Sequence, residues 1–115
     1  MPADAAPEQT GAFLVYATAE SREQALALGR QVVEERLAAC ANVLAPMDSV
    51  YWWQGMVETA TEAVLILKTR AELADALVAR LRALHSYDTP AIVVLPILSG
   101  NPDYLDWIGA ETRPT

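Results

Sequence analysis

Cys40 and His85 are the only thiol and the only imidazole in this chain. A thiolate–imidazole nucleophile, or a soft-metal site, would need the two together. Neither has a partner at metal-ligand spacing, because C-x-x-C and H-x-x-x-H are both absent. Cys40 stands between a helix end and a strand in Leu37-Ala38-Ala39-Cys40-Ala41, where a small buried hydrophobe is the simpler reading. His85 closes a predicted helix, where a cation suits the negative end of the dipole. A metal site could still be assembled from several subunits, each giving one or two ligands. Glu58 and Glu62 are four apart on a predicted strand, hence on one face, and Lys68 shares that face. They could bind a cation or an acid–base substrate; solvated strand residues with an inter-strand ion pair are the plainer alternative. Asp88 could orient the His85 ring, but no nucleophile stands beside it, so no hydrolytic arrangement follows. Phosphate-binding glycine loops are absent. No catalytic residue can be named, and an enzyme is not expected.

The positions of these groups depend on a small set of elements. Ala12 to Ala17 is an apolar run of strand formers. Ser21 and Gln24 form a Ser-x-x-Gln capping box that opens a helix. Ala25, Leu28 and Val32, with Leu26, Val33 and Leu37, lie on one broad apolar face of that helix, with Gly29 inside it. Arg36 projects into the same arc at the helix end. Ala41 to Trp53 is a second strand interrupted at Pro46; Gln54-Gly55 is a hairpin turn; Val57 to Thr69 is the return strand. Glu72 to Leu84 is a second helix with Leu73, Leu77, Leu81 and Leu84 on one stripe. Ala91 to Leu98 is a fourth strand. Asn101-Pro102-Asp103 then starts a short helix with a cap, a proline and an acid in their favoured places. Residues 1–10 read as a disordered tail, and residues 11–115 as one domain.

The order β-α-β-β-α-β predicts an α+β, ferredoxin-like sandwich with sheet order 4-1-3-2. Pro46 and Pro96 then fall in edge strands, where a missing N–H is tolerated. One feature conflicts with a lone sandwich. Phe13-Leu14-Val15, Ala63 to Leu67 and Ile92 to Leu95 are apolar on both faces, and two helices cover only one. Two adjacent tryptophans, Trp52 and Trp53, beside Tyr51 near a hairpin tip are also costly to leave wet. They could stack on a ring-shaped ligand together with Trp107, but packing between chains is the favoured use. The expectation is an obligate oligomer.

Composition narrows the partners. Fifteen acidic against eight basic residues leave a net charge of -7, which argues against nucleic acid or an anionic membrane surface. No apolar run approaches the ~20 residues of a membrane span, and the start has no secretory signal. One cysteine fits a reducing compartment.

Several motifs occur in order: Glu35-Arg36-Leu37-Ala38-Ala39-Cys40-Ala41-Asn42, Tyr51-Trp52-Trp53-Gln54-Gly55, Leu67-Lys68-Thr69, His85-Ser86-Tyr87-Asp88-Thr89-Pro90 and Tyr104-Leu105-x-Trp107-Ile108. Together they resemble the CutA family of divalent-cation tolerance proteins, over about Phe13 to Glu111. The resemblance implies a fold like that of the PII signalling proteins, a tight homotrimer with Tyr51, Trp52 and Trp53 in its assembly, a cytoplasmic location, and no established reaction. It implies copper or other divalent cations as ligands, with His85 and Cys40 as metal residues. Copper-binding members are associated with a cysteine at the end of the first strand and a His-His pair; here those positions are Ala17 and Leu84-His85. The alternative is a PII-like sensor that binds a small anionic or aromatic ligand between subunits, in a cleft lined by Trp53, Lys68, Tyr87 and Glu62, with His85 beside them.

Overall fold

Hydrophobic alternation and two capped helices produce the expected element order. The structure, a computed structural model, describes residues 10–113. Strand β1 spans Ala12–Ala19, helix α1 Arg22–Glu34, β2 Cys40–Trp53 and β3 Met56–Arg70. A 3₁₀ turn at Ala71–Leu73 leads into α2, Ala74–Leu84; β4 is Ile92–Pro96 and α3 Pro102–Ala110. The four strands form one antiparallel sheet in the order β2-β3-β1-β4, so the expected strand order is found, with β2 and β4 at the edges. For residues 1–9 the expected tail lies outside the described residues. Thr10, counted with that tail, belongs to the fold: its hydroxyl donates to the Ile97 carbonyl and accepts from the Ala12 N–H at 3.1 Å.

Helices α1 and α2 cover one face of the sheet. Ala25, Leu28 and Val32 of α1 and Leu77 and Leu81 of α2 bury against Val15, Ala17, Leu65 and Leu67. Ser21 caps α1 as expected, its hydroxyl accepting from the Gln24 N–H at 3.1 Å, while the Gln24 side chain accepts from the Glu20 N–H at 3.0 Å. Gly29 lets α1 approach closely, because a Cβ there would lie 2.8 Å from the Ala41 Cβ. Leu26 departs from the expected apolar face; the helix turns it outward, and it is exposed. Arg36 lies outside the helix at φ 65° and pairs with Glu111 at 2.8 Å, half exposed. Glu35 at the end of α1 and Arg80 of α2 form a two-pronged pair at 2.9 and 2.8 Å. The Arg80 hydrogen bond holds the Glu35 carboxyl below the usual carboxylate range.

The other sheet face is covered only at one end. There Arg70 donates to the carbonyls of Gly109 and Thr112 and docks the end of α3, and Ile108 is fully buried. Beyond that end, Leu44, Val93 and Leu95 of the two-faced apolar strands stay exposed, with no cover within the described residues.

The β2–β3 hairpin outruns the sheet. Pairing of β3 with β1 ends at Ala19↔Ala63, and seven further pairs, Met47↔Glu62 to Trp53↔Met56, join β2 and β3 alone. This arm is about 23 Å long. Its turn, Gln54-Gly55, has φ of 51° and 81°, the pattern of a type I′ hairpin. At its root, between Leu44 and Met47, the register shifts by one residue. Leu44 opposes Val64 and Met47 opposes Glu62, so β2 carries an extra residue there. Met47, Ser49, Tyr51 and Trp53 therefore share the open face with Glu62 and Glu58, as Cα partners or near neighbours.

Candidate functional site

The groups that converge do so at the root of the arm, where β1 ends. The α2–β4 connection starts with His85, whose extended backbone (φ -74°, ψ 145°) stops α2. Its Nε2 lies 2.7 Å from the Thr18 carbonyl in β1. Its Nδ1 accepts from the Tyr87 backbone N–H at 3.0 Å. The two rings lie 4.7 Å apart at 45°. The Tyr87 hydroxyl donates to Glu62 Oε2 at 3.0 Å. Burial first, and then the Glu62 carboxylate that accepts its proton, push the Tyr87 phenol up to about 12. Ser86 between them accepts from the Gln24 side chain at 2.6 Å and donates to Glu20 at 3.3 Å, which ties the turn to the start of α1. Tyr16 completes the group, with its hydroxyl 3.7 Å from the Met47 sulfur.

Beside this cluster lies an open groove of about 260 Å³, lined by Glu20, Arg22, Ala45, Pro46, Thr61 and Glu62. Its wall is mainly apolar, with Glu20, Arg22 and Glu62 among its lining residues. Nothing in it pairs a nucleophile with a base.

The other residues singled out from sequence do not join the cluster. Lys68 is six positions from Glu62 along β3, about 20 Å, and donates to the Asn42 side chain at 2.5 Å. Trp53 opposes Met56, about 20 Å from Glu62 in the other direction, toward the arm tip. Within one chain, then, Trp53 and Lys68 do not line a cleft with Tyr87 and Glu62; strand parity gives them a common face but not proximity. Cys40 opposes Lys68 at the far end of β2, so it and His85 are not brought together. Its sulfur lies 3.6 Å from the Tyr104 hydroxyl, and that contact, with burial, raises the tyrosine's pKa. Cys40 instead borders a groove of about 510 Å³ between α1 and β2, beside Leu26, Val33 and Val43. Glu58 shares a face with Glu62 but lies about 13 Å along the strand. Tyr51, Trp52 and Trp53 are exposed on the arm, Trp52 to 75%.

These positions do not fit a divalent cation held by one chain. Both ring nitrogens of His85 are engaged, Cys40 is remote, and Ala17 is buried in the core. Among the described residues no three His, Cys, Asp or Glu side chains gather closely enough to hold a metal ion. Sequence reasoning missed Thr18 and Met47. Thr18 acts through its backbone carbonyl, which no residue type announces. Met47 reaches the open face only because of the register shift, for which Pro46 was the available signal.

Comparison with known proteins agrees with this architecture. Residues 13–111 match the family model of the CutA1 divalent ion tolerance protein. A chloroplastic CutA 1 protein of Oryza sativa is 44% identical over 101 residues, 88% of this chain and 57% of that protein. The chain thus spans little more than half the length of that plant relative. A divalent-cation tolerance protein CutA of Thermus thermophilus is 43% identical over 99 residues, 86% of this chain and 96% of that protein. The crystal structure of the Oryza sativa CutA1 superposes with a TM-score of 0.87 at 42% identity, covering 90% of this chain and 95% of that one.

Proposed function

This chain belongs to the CutA1 divalent ion tolerance family, and from that premise we propose that it acts in divalent-cation tolerance as a cytoplasmic homotrimer with the ferredoxin-like, PII-like architecture. The observation that carries the assembly is the arm. It extends seven residue pairs past the sheet and exposes Val50, Tyr51, Trp52, Trp53, Met56 and Val57. Burying such surface is worth about 25 cal/mol per Å², so leaving it wet is costly. A neighbouring copy is the cover the exposed face formed by Leu44, Val93 and Leu95 also requires. Light scattering on the purified chain is expected to give three times the 12.5 kDa chain mass. A single-chain mass at micromolar concentration would sink the reading.

Copper or another divalent cation is the effector this role implies. The geometry favours tolerance through a ligand-responsive oligomer over chelation by His85 and Cys40, since each is committed elsewhere. Calorimetric titration with Cu²⁺ should therefore give the same isotherm for the parent, His85→Ala and Cys40→Ala. A saturable step lost in both variants would restore chelation. The second reading, a sensor for a small anionic or aromatic ligand in an inter-subunit cleft, is favoured in its aromatic form, because the groove that Glu62 lines beside Tyr87 is mainly apolar and its two carboxylates, Glu20 and Glu62, oppose an anion. In a trimer the arm of a neighbour would bring its Trp53 toward such a cleft. Thermal-shift screening with nucleotides and organic acids tests it, and a flat response counts against it.

A further inference from the structure

His85 is the only histidine of the chain, and its ring nitrogens face groups whose hydrogen-bonding roles are fixed. The Tyr87 backbone N–H can only donate, and it points at Nδ1 from 3.0 Å. The Thr18 carbonyl can only accept, and it lies 2.7 Å from Nε2. One protonation state satisfies both contacts: a neutral imidazole with its proton on Nε2. The other tautomer would set donor against donor at Nδ1 and acceptor against acceptor at Nε2. An imidazolium would set N–H against N–H at Nδ1.

We infer that His85 is a positioning residue, locked in the Nε2–H tautomer, that ties the 85–87 turn to the end of β1, seats the Tyr87 hydroxyl on Glu62 and leaves no ring lone pair for a divalent cation. The bond from the amide two residues on to Nδ1 has the connectivity of an Asx turn, in which an Asn or Asp oxygen accepts from the same amide. The imidazole does this while its second nitrogen reaches across to a neighbouring strand, which Asn is too short to do. Gln24 and Glu20 hold Ser86 from the other side, so the turn is fastened to β1, α1 and β3 at once. Glu62 is the first residue of the arm beyond the β1 pairing, and the turn thereby meets the arm at its root. A cation could reach Nδ1 only by displacing the Tyr87 amide. The inference stands apart from the tolerance reading, which rests on family membership and assembly.

Nitrogen-15 spectroscopy of the labelled full chain tests it, and a sole histidine needs no assignment. The expected result is one imidazole species protonated on Nε2, unchanged by one equivalent of Zn²⁺. A mixture of tautomers, or an Nδ1 signal displaced by zinc, would overturn it. Amide exchange gives the second arm. In His85→Ala the Tyr87 amide should exchange roughly tenfold faster, the loss of about one hydrogen bond, with the Val15 and Leu65 amides unchanged. In His85→Asn protection of the Tyr87 amide should return, because the Asn oxygen can accept the same bond. Unchanged protection in the alanine variant, or none regained in the asparagine variant, defeats the inference. Should the alanine variant not fold, the parent spectra and His85→Asn decide it.

Discussion

Tyr87 carries the most perturbed phenol among the described residues, and the cause is local. Partial burial and a carboxylate acceptor both disfavour the phenolate, so the group stays a neutral donor until about pH 12. Because its pKa is raised in the folded state, the stabilisation it brings is complete below the ordinary tyrosine value near 10 and is lost as pH rises from there to about 12. Tyrosinate absorbance between pH 10 and 12 should show one late-titrating tyrosine. Glu62→Gln should move that step toward 10, and an unmoved step would mean that Glu62 is not its acceptor. Little of this was legible in the sequence. Tyr87, Glu62 and His85 could be named as residue types, but two of the three groups that hydrogen-bond the His85 and Tyr87 side chains are backbone atoms. Backbone donors and acceptors are the same at every position. Lys68 and Trp53 were grouped with them by shared face, and the rise of the strand separates them by about 20 Å.

At the scale of elements, two glycines place the structure. Gly29 sits where α1 presses on the sheet, with the Ala41 Cβ at 2.8 Å and the Leu65 Cδ1 at 3.1 Å from an added Cβ. Alanine would gain about 1 kcal/mol in helix propensity, but overpacking costs about 1–3 kcal/mol. The Ala41 side chain has no rotamer by which to retreat, so overpacking wins. Gly29→Ala should lose about 1 kcal/mol in urea unfolding at fixed chain concentration, and a gain would show that the helix lifts freely. In the arm turn Gln54 holds φ 51° without the side chain that favours it. Gln54→Asn should gain a few tenths of a kcal/mol, since Asn tolerates this region and suits type I′ turns. Calorimetric melting reads the change, and a lower Tm would contradict the assignment of strain. The strand order was legible because Gly55, the two helical periods and the proline positions agree on it. The length of the arm was not, because a β2–β3 ladder reads alike whether or not β1 lies beside it.

At the scale of the whole molecule, apolar surface is left where a single chain has nothing to cover it. Trp52 and Trp53 are exposed on the arm, and Leu44, Val93 and Leu95 on the open face. Truncating interface tryptophans commonly costs 2 kcal/mol or more. In the proposed trimer, Trp52→Ala and Trp53→Ala should therefore cause dissociation at higher chain concentration and earlier melting in light scattering with heating. An intact, equally heat-stable oligomer in both variants would remove the arm from the assembly. The extra residue between Leu44 and Met47 has a consequence for how this chain can change over time. Distal to it the faces of the arm are set from the other end, by the Gln54-Gly55 turn that pairs Trp53 with Met56. Deleting a single residue there would therefore restore an unbroken ladder and leave Met47 opposite Glu62 and Trp53 opposite Met56. Lineages of this chain should therefore tolerate the loss of Pro46 more readily than a change in the length of the Gln54-Gly55 turn, on which every pair of the arm depends.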